Sequence, residues 1–211
     1  MDGVITMEDA RALVGDAKLW PRVRDFLWDF APQVHESWLE PKQLSLRDSP
    51  RVKRYILDSL GVEQCFHAFP KDDGSRILLL DGATLESSAK WLGALACAES
   101  LRRVTSGEVV RELKTKLRGI YPEVFGYTAY FKDLDFQRRD AEAQSLQTVV
   151  VEEGYSLLQS VVANLPSSLV ARLKFKLPKG LCASASLREV KLSAVLKLFK
   201  LKFPEAYKLC C

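Results

Sequence analysis

Thr84-Leu85-Glu86-Ser87-Ser88-Ala89-Lys90-Trp91-Leu92-Gly93-Ala94-Leu95-Ala96-Cys97-Ala98-Glu99-Ser100-Leu101 is the stretch that decides the fold class. Thr84 suits an N-cap, and Leu85, Trp91, Leu92, Leu95, Ala98 and Leu101 recur at helical spacing behind it. Gly93, Ala94, Ala96, Cys97 and Ala98 are small enough to admit a second backbone at close range. The segment therefore reads as the central helix of a helical core.

Helical punctuation continues on both sides. Asp48-Ser49-Pro50 places an N-cap serine before a proline at the first helical position. Val52, Tyr55, Ile56 and Leu60 follow, and Gly61 closes the segment. Thr105-Ser106-Gly107-Glu108 reads as a capping box ahead of Val109, Val110, Leu113 and Leu117, with Gly119 as the stop. From Arg139 to Leu165, apolar residues return at Leu146, Val150, Leu157 and Val161 with Gly154 on the same stripe, and Pro166 ends the run. Glu8 to Val14 and Leu19 to Phe30 also read as helical, whereas Pro32, Pro41 and Pro70 cut the N-terminal third into short pieces.

Two segments leave the choice open. Ile77-Leu78-Leu79-Leu80 suits a short strand but finds no partner strand. Arg172-Leu173-Lys174-Phe175-Lys176-Leu177 alternates with period two, yet a helix from Ser167 fits equally well. The expectation is an all-α chain, a compact irregular helical bundle with at most one or two short strands. It is read as a single domain over 1–211, with a loop-rich part at 1–76 and a helical core at 77–211.

Composition is that of an ordinary globular chain, 47% hydrophobic and 27% charged over 211 residues, which excludes disordered and fibrous classes. Met1 to Asp9 is acidic and lacks an apolar signal core, so no secretory leader is expected. The longest apolar run, Trp91 to Ala98, is far short of the roughly 20 residues that span a bilayer. A soluble protein is expected. Cys65, Cys97, Cys182, Cys210 and Cys211 form no C-x-x-C pair and suit a reducing cytoplasm. Cys210-Cys211 is read as an unmodified, frayed end rather than a lipidation site.

The net charge of +4 conceals an asymmetry. From Ser167 to Cys211 there are ten basic residues and two acidic ones, so the tail is +8 and the preceding chain −4. Within it, Ser186-Leu187-Arg188-Glu189 reads as a capping box opening a helix that runs to Phe203 and stops at Pro204. On that helix Leu187, Val190, Ala194, Leu198 and Leu201 form one apolar stripe, and Leu192, Leu196, Phe199 and Phe203 form another. Arg188, Lys191, Lys197, Lys200 and Lys202 lie between them and are the candidate partner-binding residues. Either both stripes pack internally while the lysines snorkel, or one stripe meets a partner.

Chemistry is sparse. Neither G-x-G-x-x-G nor G-x-x-x-x-G-K-[ST] occurs. Cys65 and His67 make two ligands where a zinc site takes three or four, so no metal is expected. His35-Glu36-Ser37 contains triad residue types in mere adjacency. Asp72 and Asp73 precede Gly74 as a turn does, and Asp133 with Asp135 reads as solvated surface. No catalytic residue and no cofactor is assigned. Nucleic-acid binding by the basic tail is the alternative, weakened because its lysines are interleaved with Leu and Phe rather than gathered on one exposed face.

Three stretches in order carry a family resemblance. They are Ile77 to Leu80 leading into Trp91-Leu92-Gly93-Ala94-Leu95 and Leu101-Arg102-Arg103-Val104, the aromatic segment Tyr121 to Phe131 after Gly119, and Leu173-Lys174-Phe175-Lys176-Leu177-Pro178 followed by a C-terminal amphipathic helix with Phe203-Pro204. From about Ile77 to the end this order resembles the SctK family (YscK/PscK-like) of bacterial type III secretion systems. The resemblance implies an all-helical, non-enzymatic, cytosolic accessory protein of the sorting platform. Such a protein links the pod protein SctQ to the cytoplasmic domain of the inner-membrane ring protein SctD. It implies no cofactor and no catalytic residue, and a place at the cytoplasmic face of the inner membrane held through partners. The basicity after Ser167 departs from the family pattern and suits an acidic partner surface.

Overall fold

The computed structural model describes residues 19–62, 73–131, 145–179 and 190–211. Among them the chain is all-α, and no strand occurs. The helices are α1 (Trp20–Trp28), α2 (Pro41–Ser45), α3 (Pro50–Ser59), α4 (Asp73–Arg76), α5 (Gly82–Ala96), α6 (Ala98–Arg102), α7 (Gly107–Lys116), α8 (Val124–Tyr127), α9 (Leu146–Val162), α10 (Ser167–Lys176), α11 (Leu192–Lys202) and α12 (Pro204–Cys210). Single 3-10 turns join several of them, including Glu36–Trp38, Ile77–Leu79 and Thr128–Phe131. No helix among the described residues is long and apolar enough to cross a membrane.

The described residues fall into two compact units. The first comprises 19–62, 73–82, 164–179 and 208–211; the second comprises 83–163 and 190–207.

In the first unit, α1 buries Val23, Phe26 and Leu27 at i, i+3 and i+4. Phe26 meets Phe30 edge to face at 5.7 Å between ring centroids. Ser49 takes the extended backbone of an N-cap (φ −66°, ψ 128°) before Pro50, and Gly61 closes α3 at φ +63°. Tyr55, expected on the apolar face of α3, is exposed, while its neighbour Ile56 is fully buried.

The ambiguous 172–177 segment is helical. Burial falls on Leu169, Arg172, Leu173 and Lys176, at i, i+3, i+4 and i+7, so the helical period overrides the local alternation. Two cations on that face are buried because their heads find carbonyls. Arg172 Nη1 donates to Phe26 O at 2.7 Å, with its guanidinium over the rings of Phe26 and Phe30. Lys176 Nζ donates to Leu78 O at 2.6 Å and Leu80 O at 2.9 Å. The stretch read as a possible strand is instead a 3-10 turn, Ile77–Leu79, and two carbonyls of 77–80 accept from Lys176. Burial pushes the Lys176 pKa down to about 7; Asp81 opposes the shift and Arg22 adds to it.

In the second unit α5 crosses α9 at very close range. A Cβ on Gly93 would sit 1.7 Å from Val150 O. The small-residue run of α5 thus does what its composition predicts. The helix begins at Gly82, before Thr84, and it is interrupted at Cys97 (φ −95°, ψ 13°) rather than running unbroken to Leu101. Bonds from Cys97 N to Gly93 O and from Leu101 N to Cys97 O carry the helical ladder across that bend. Helix α7 starts one residue later than a Thr105 cap implies: Ser106 occupies the N-cap with no side-chain hydrogen bond to the first turn. Gly119, at φ +70°, follows its end.

The C-terminal region differs most from expectation. The Ser186 to Glu189 capping box and Leu187 lie outside the described residues, as do Glu8 to Val14 and Arg139 to Gln144. Helix α11 starts at Leu192 with Lys191 at its N-cap, so Val190 precedes the helix. It buries one face, Ala194, Val195, Leu198 and Phe199, in place of two opposed stripes. Leu201, expected in a stripe, is 39% exposed. Pro204 stops α11 and opens α12, because a proline that lacks the N–H is tolerated in a first turn. Where a frayed end is expected, α12 runs to Cys210, which is buried, and Cys211 follows the helix exposed.

Candidate partner-binding surface

Helix α11 decides where each candidate lysine goes. At 100° per residue, Lys202 falls on the side of Val195 and Leu198, whereas Lys197 and Lys200 fall on the opposite side. Lys202 therefore turns inward. Its side chain is 14% exposed and pairs with Glu123. Its ammonium lies 4.4 Å from the Trp91 ring centroid and 4.0 Å from that of Tyr127. Burial works against this charge, but the hydrogen bonds and attraction of Glu123 and Tyr127 outweigh it and raise the pKa.

Lys197 is exposed yet tethered, with Nζ 2.5 Å from Tyr130 O and 5.7 Å from the Phe131 ring centroid. Together Lys197 and Lys202 fasten α11 to the segment from Glu123 to Phe131. Lys200 is exposed and lies 6.0 Å from the Tyr207 ring centroid. Lys191 is exposed at the N-cap. Arg188 lies outside the described residues. The flank expected to hold Arg188, Lys191 and Lys202 together thus divides, since Lys202 faces the core.

Elsewhere in the basic tail, Lys174 and Lys179 lie over the Trp38 ring at 5.8 and 5.6 Å from its centroid. Trp38 Nε1 donates to Leu177 O at 2.7 Å. The adjacent His35-Glu36-Ser37 is a turn cap: His35 Nδ1 accepts from Ser37 N–H at 3.1 Å, and Ser37 Oγ accepts from Lys179 N–H at 2.8 Å. Cys65, His67, Asp72, Asp133, Asp135 and Cys182 lie outside the described residues.

Exposed large hydrophobic side chains are a feature that pattern reading missed. In the first unit they are Leu44, Leu46 and Tyr55; in the second, Tyr130 and Leu201. Leu44 and Leu46 sit between Pro41 and Pro50, where no period can be read, and Tyr55 and Leu201 match helical stripes that the folded chain leaves uncovered.

A family model described as YOP proteins translocation protein K (YscK) matches residues 23–209. The chain belongs to the YscK family. It is a type III secretion protein, and its family match extends well before Ile77, where the motif resemblance begins, to take in α1 from Val23 onward. All four described candidate lysines, Lys191, Lys197, Lys200 and Lys202, lie within the YscK match. Neither a curated protein nor a solved structure matches the chain.

Proposed function

We propose that this YscK-family protein is a non-enzymatic cytoplasmic adaptor of the secretion sorting platform. It links an SctQ-like pod protein to the cytoplasmic domain of an SctD-like inner-membrane ring protein. The observation that carries this reading is the YscK-family match over residues 23–209; each compact unit also exposes large hydrophobic side chains, and an adaptor needs a docking surface for each of two partners.

The nucleic-acid alternative fares less well. Arg172 and Lys176 are buried, and Lys202 is turned inward and paired with Glu123, so the tail's +8 is not a free field for phosphates. Co-purification of the full chain with each purified partner tests the adaptor. Capture of both is expected. Capture of neither, with retention on duplex DNA that falls steeply with salt, overturns it.

A further inference from the structure

We infer that the outer face of α11, with Tyr130 beside it, docks an acidic amphipathic helix of a protein partner. This deepens the adaptor reading and rests on it for the partner's identity.

Lys197, Lys200 and Leu201 stand at i, i+3 and i+4 and so share one face of α11. Tyr130, 56% exposed, neighbours the Lys197 end of that face, where its carbonyl accepts from Lys197 Nζ, and its ring lies 6.1 Å from that of Tyr127. From Val190 to Pro204 the sequence contains no acidic residue, and Glu123, which reaches α11 from the packed side, is engaged by Lys202. Among its described residues the helix face therefore presents Lys197, Lys200 and Leu201, with the exposed Tyr130 nearby and the next carboxylate in sequence, Glu205, in α12. Its complement is a segment carrying carboxylates for Lys197 and Lys200 and an apolar row to cover Leu201 and Tyr130.

The chemistry separates this occupant from two others. An interfacial membrane helix inserts its apolar face, but the apolar face of α11, Ala194, Val195, Leu198 and Phe199, is buried within the protein. A nucleic-acid site sets a row of basic side chains along the phosphates, and α11 turns only Lys197 and Lys200 outward, with Lys202 held by Glu123.

The test uses a labelled 18-residue Glu/Leu amphipathic helix and its Lys/Leu counterpart, titrated with the full chain and followed by fluorescence anisotropy. The wild-type chain should bind the Glu/Leu peptide and not the Lys/Leu one. A Lys200→Glu, Leu201→Ala double variant should weaken that binding by about tenfold or more, and Lys200→Arg should retain it. Unchanged helical circular dichroism and melting of the double variant separate loss of docking from loss of fold. Equal binding of the Glu/Leu peptide by wild type and double variant, or no binding by wild type, overturns the inference. So does tighter association with phosphatidylcholine vesicles containing anionic phosphatidylserine than with the peptide. Capture of the ring and pod proteins is scored separately: if wild type captures neither while the peptide result stands, the adaptor reading fails and the surface survives. If it captures both and the double variant loses neither, the surface fails and the adaptor survives.

Discussion

Gly93 and Gly154 face each other across the crossing of α5 and α9. A Cβ on Gly154 would sit 1.8 Å from Ala89 O, and one on Gly93 would approach Gly154 N at 2.8 Å. Both obstructions are backbone, which has no rotamer to move. Each helix therefore sets the position of the other through contacts that only glycine permits.

Gly93→Ala and Gly154→Ala should each cost about 3 kcal/mol, at the upper end of overpacking penalties. Urea denaturation reads this as a lower midpoint with unchanged slope. Gly126→Ala is the control: nothing lies within 4 Å of the position its Cβ would take, and it sits in helix α8, so it should be neutral or slightly stabilising. A Gly93→Ala variant as stable as wild type would show that α5 and α9 do not cross this closely.

Lys176 predicts a particular dependence on pH. Its folded pKa is lowered to about 7 from 10.5, so between those values the unfolded chain holds a proton that the folded chain has released. Stability from this group therefore rises with pH across the window from about 7 to 10.5, and below about 7 the full cost of burying the charge is present. One proton corresponds to a slope of about 1.4 kcal/mol per pH unit at most. Lys176→Met should remove that component from a stability profile measured across this window. A variant whose slope matches wild type would place the titration elsewhere.

Lys202 and Glu123 should be coupled. Lys202→Met removes the ion pair and the contacts with Trp91 and Tyr127, and should cost about 1–2 kcal/mol for a partly desolvated cation–π site. Glu123→Gln should cost less, because that side chain is half exposed. A double-mutant cycle measures the difference, and additive effects would mean that Lys202 is held by the aromatic rings alone.

Trp38→Phe should cost about 1 kcal/mol, because it keeps an aromatic partner near Phe175, at 5.0 Å in the wild type, while removing the donor to Leu177 O. Trp38→Ala should cost several times more. Thermal melting of the two variants distinguishes the hydrogen bond from the packing.

Part of this fold is legible in the chain itself. Ser49, Pro50 and Gly61 mark α3 because capping and φ preferences act over a few neighbouring residues, and the folded chain respects them. The small residues of α5 announce a close approach for the same local reason, although they leave open which helix fills the gap. The five candidate cations are less legible. Their identities show positive charge, but whether a lysine faces solvent or a carboxylate depends on where its helix begins and what packs against it.

The all-α class, the helix stops and the asymmetry of −4 and +8 follow from the sequence by itself, because propensity, capping and composition are properties of short stretches. Only the tertiary structure decided that Lys176 is buried on two carbonyls, that Lys202 turns inward to Glu123, and that Leu201 and Tyr130 remain exposed. Burial is set by neighbours distant in the chain: Leu78 lies 98 residues from Lys176, and Glu123 lies 79 from Lys202. No local pattern specifies those partners, and the desolvation that decides a charge's fate exists only once they have met.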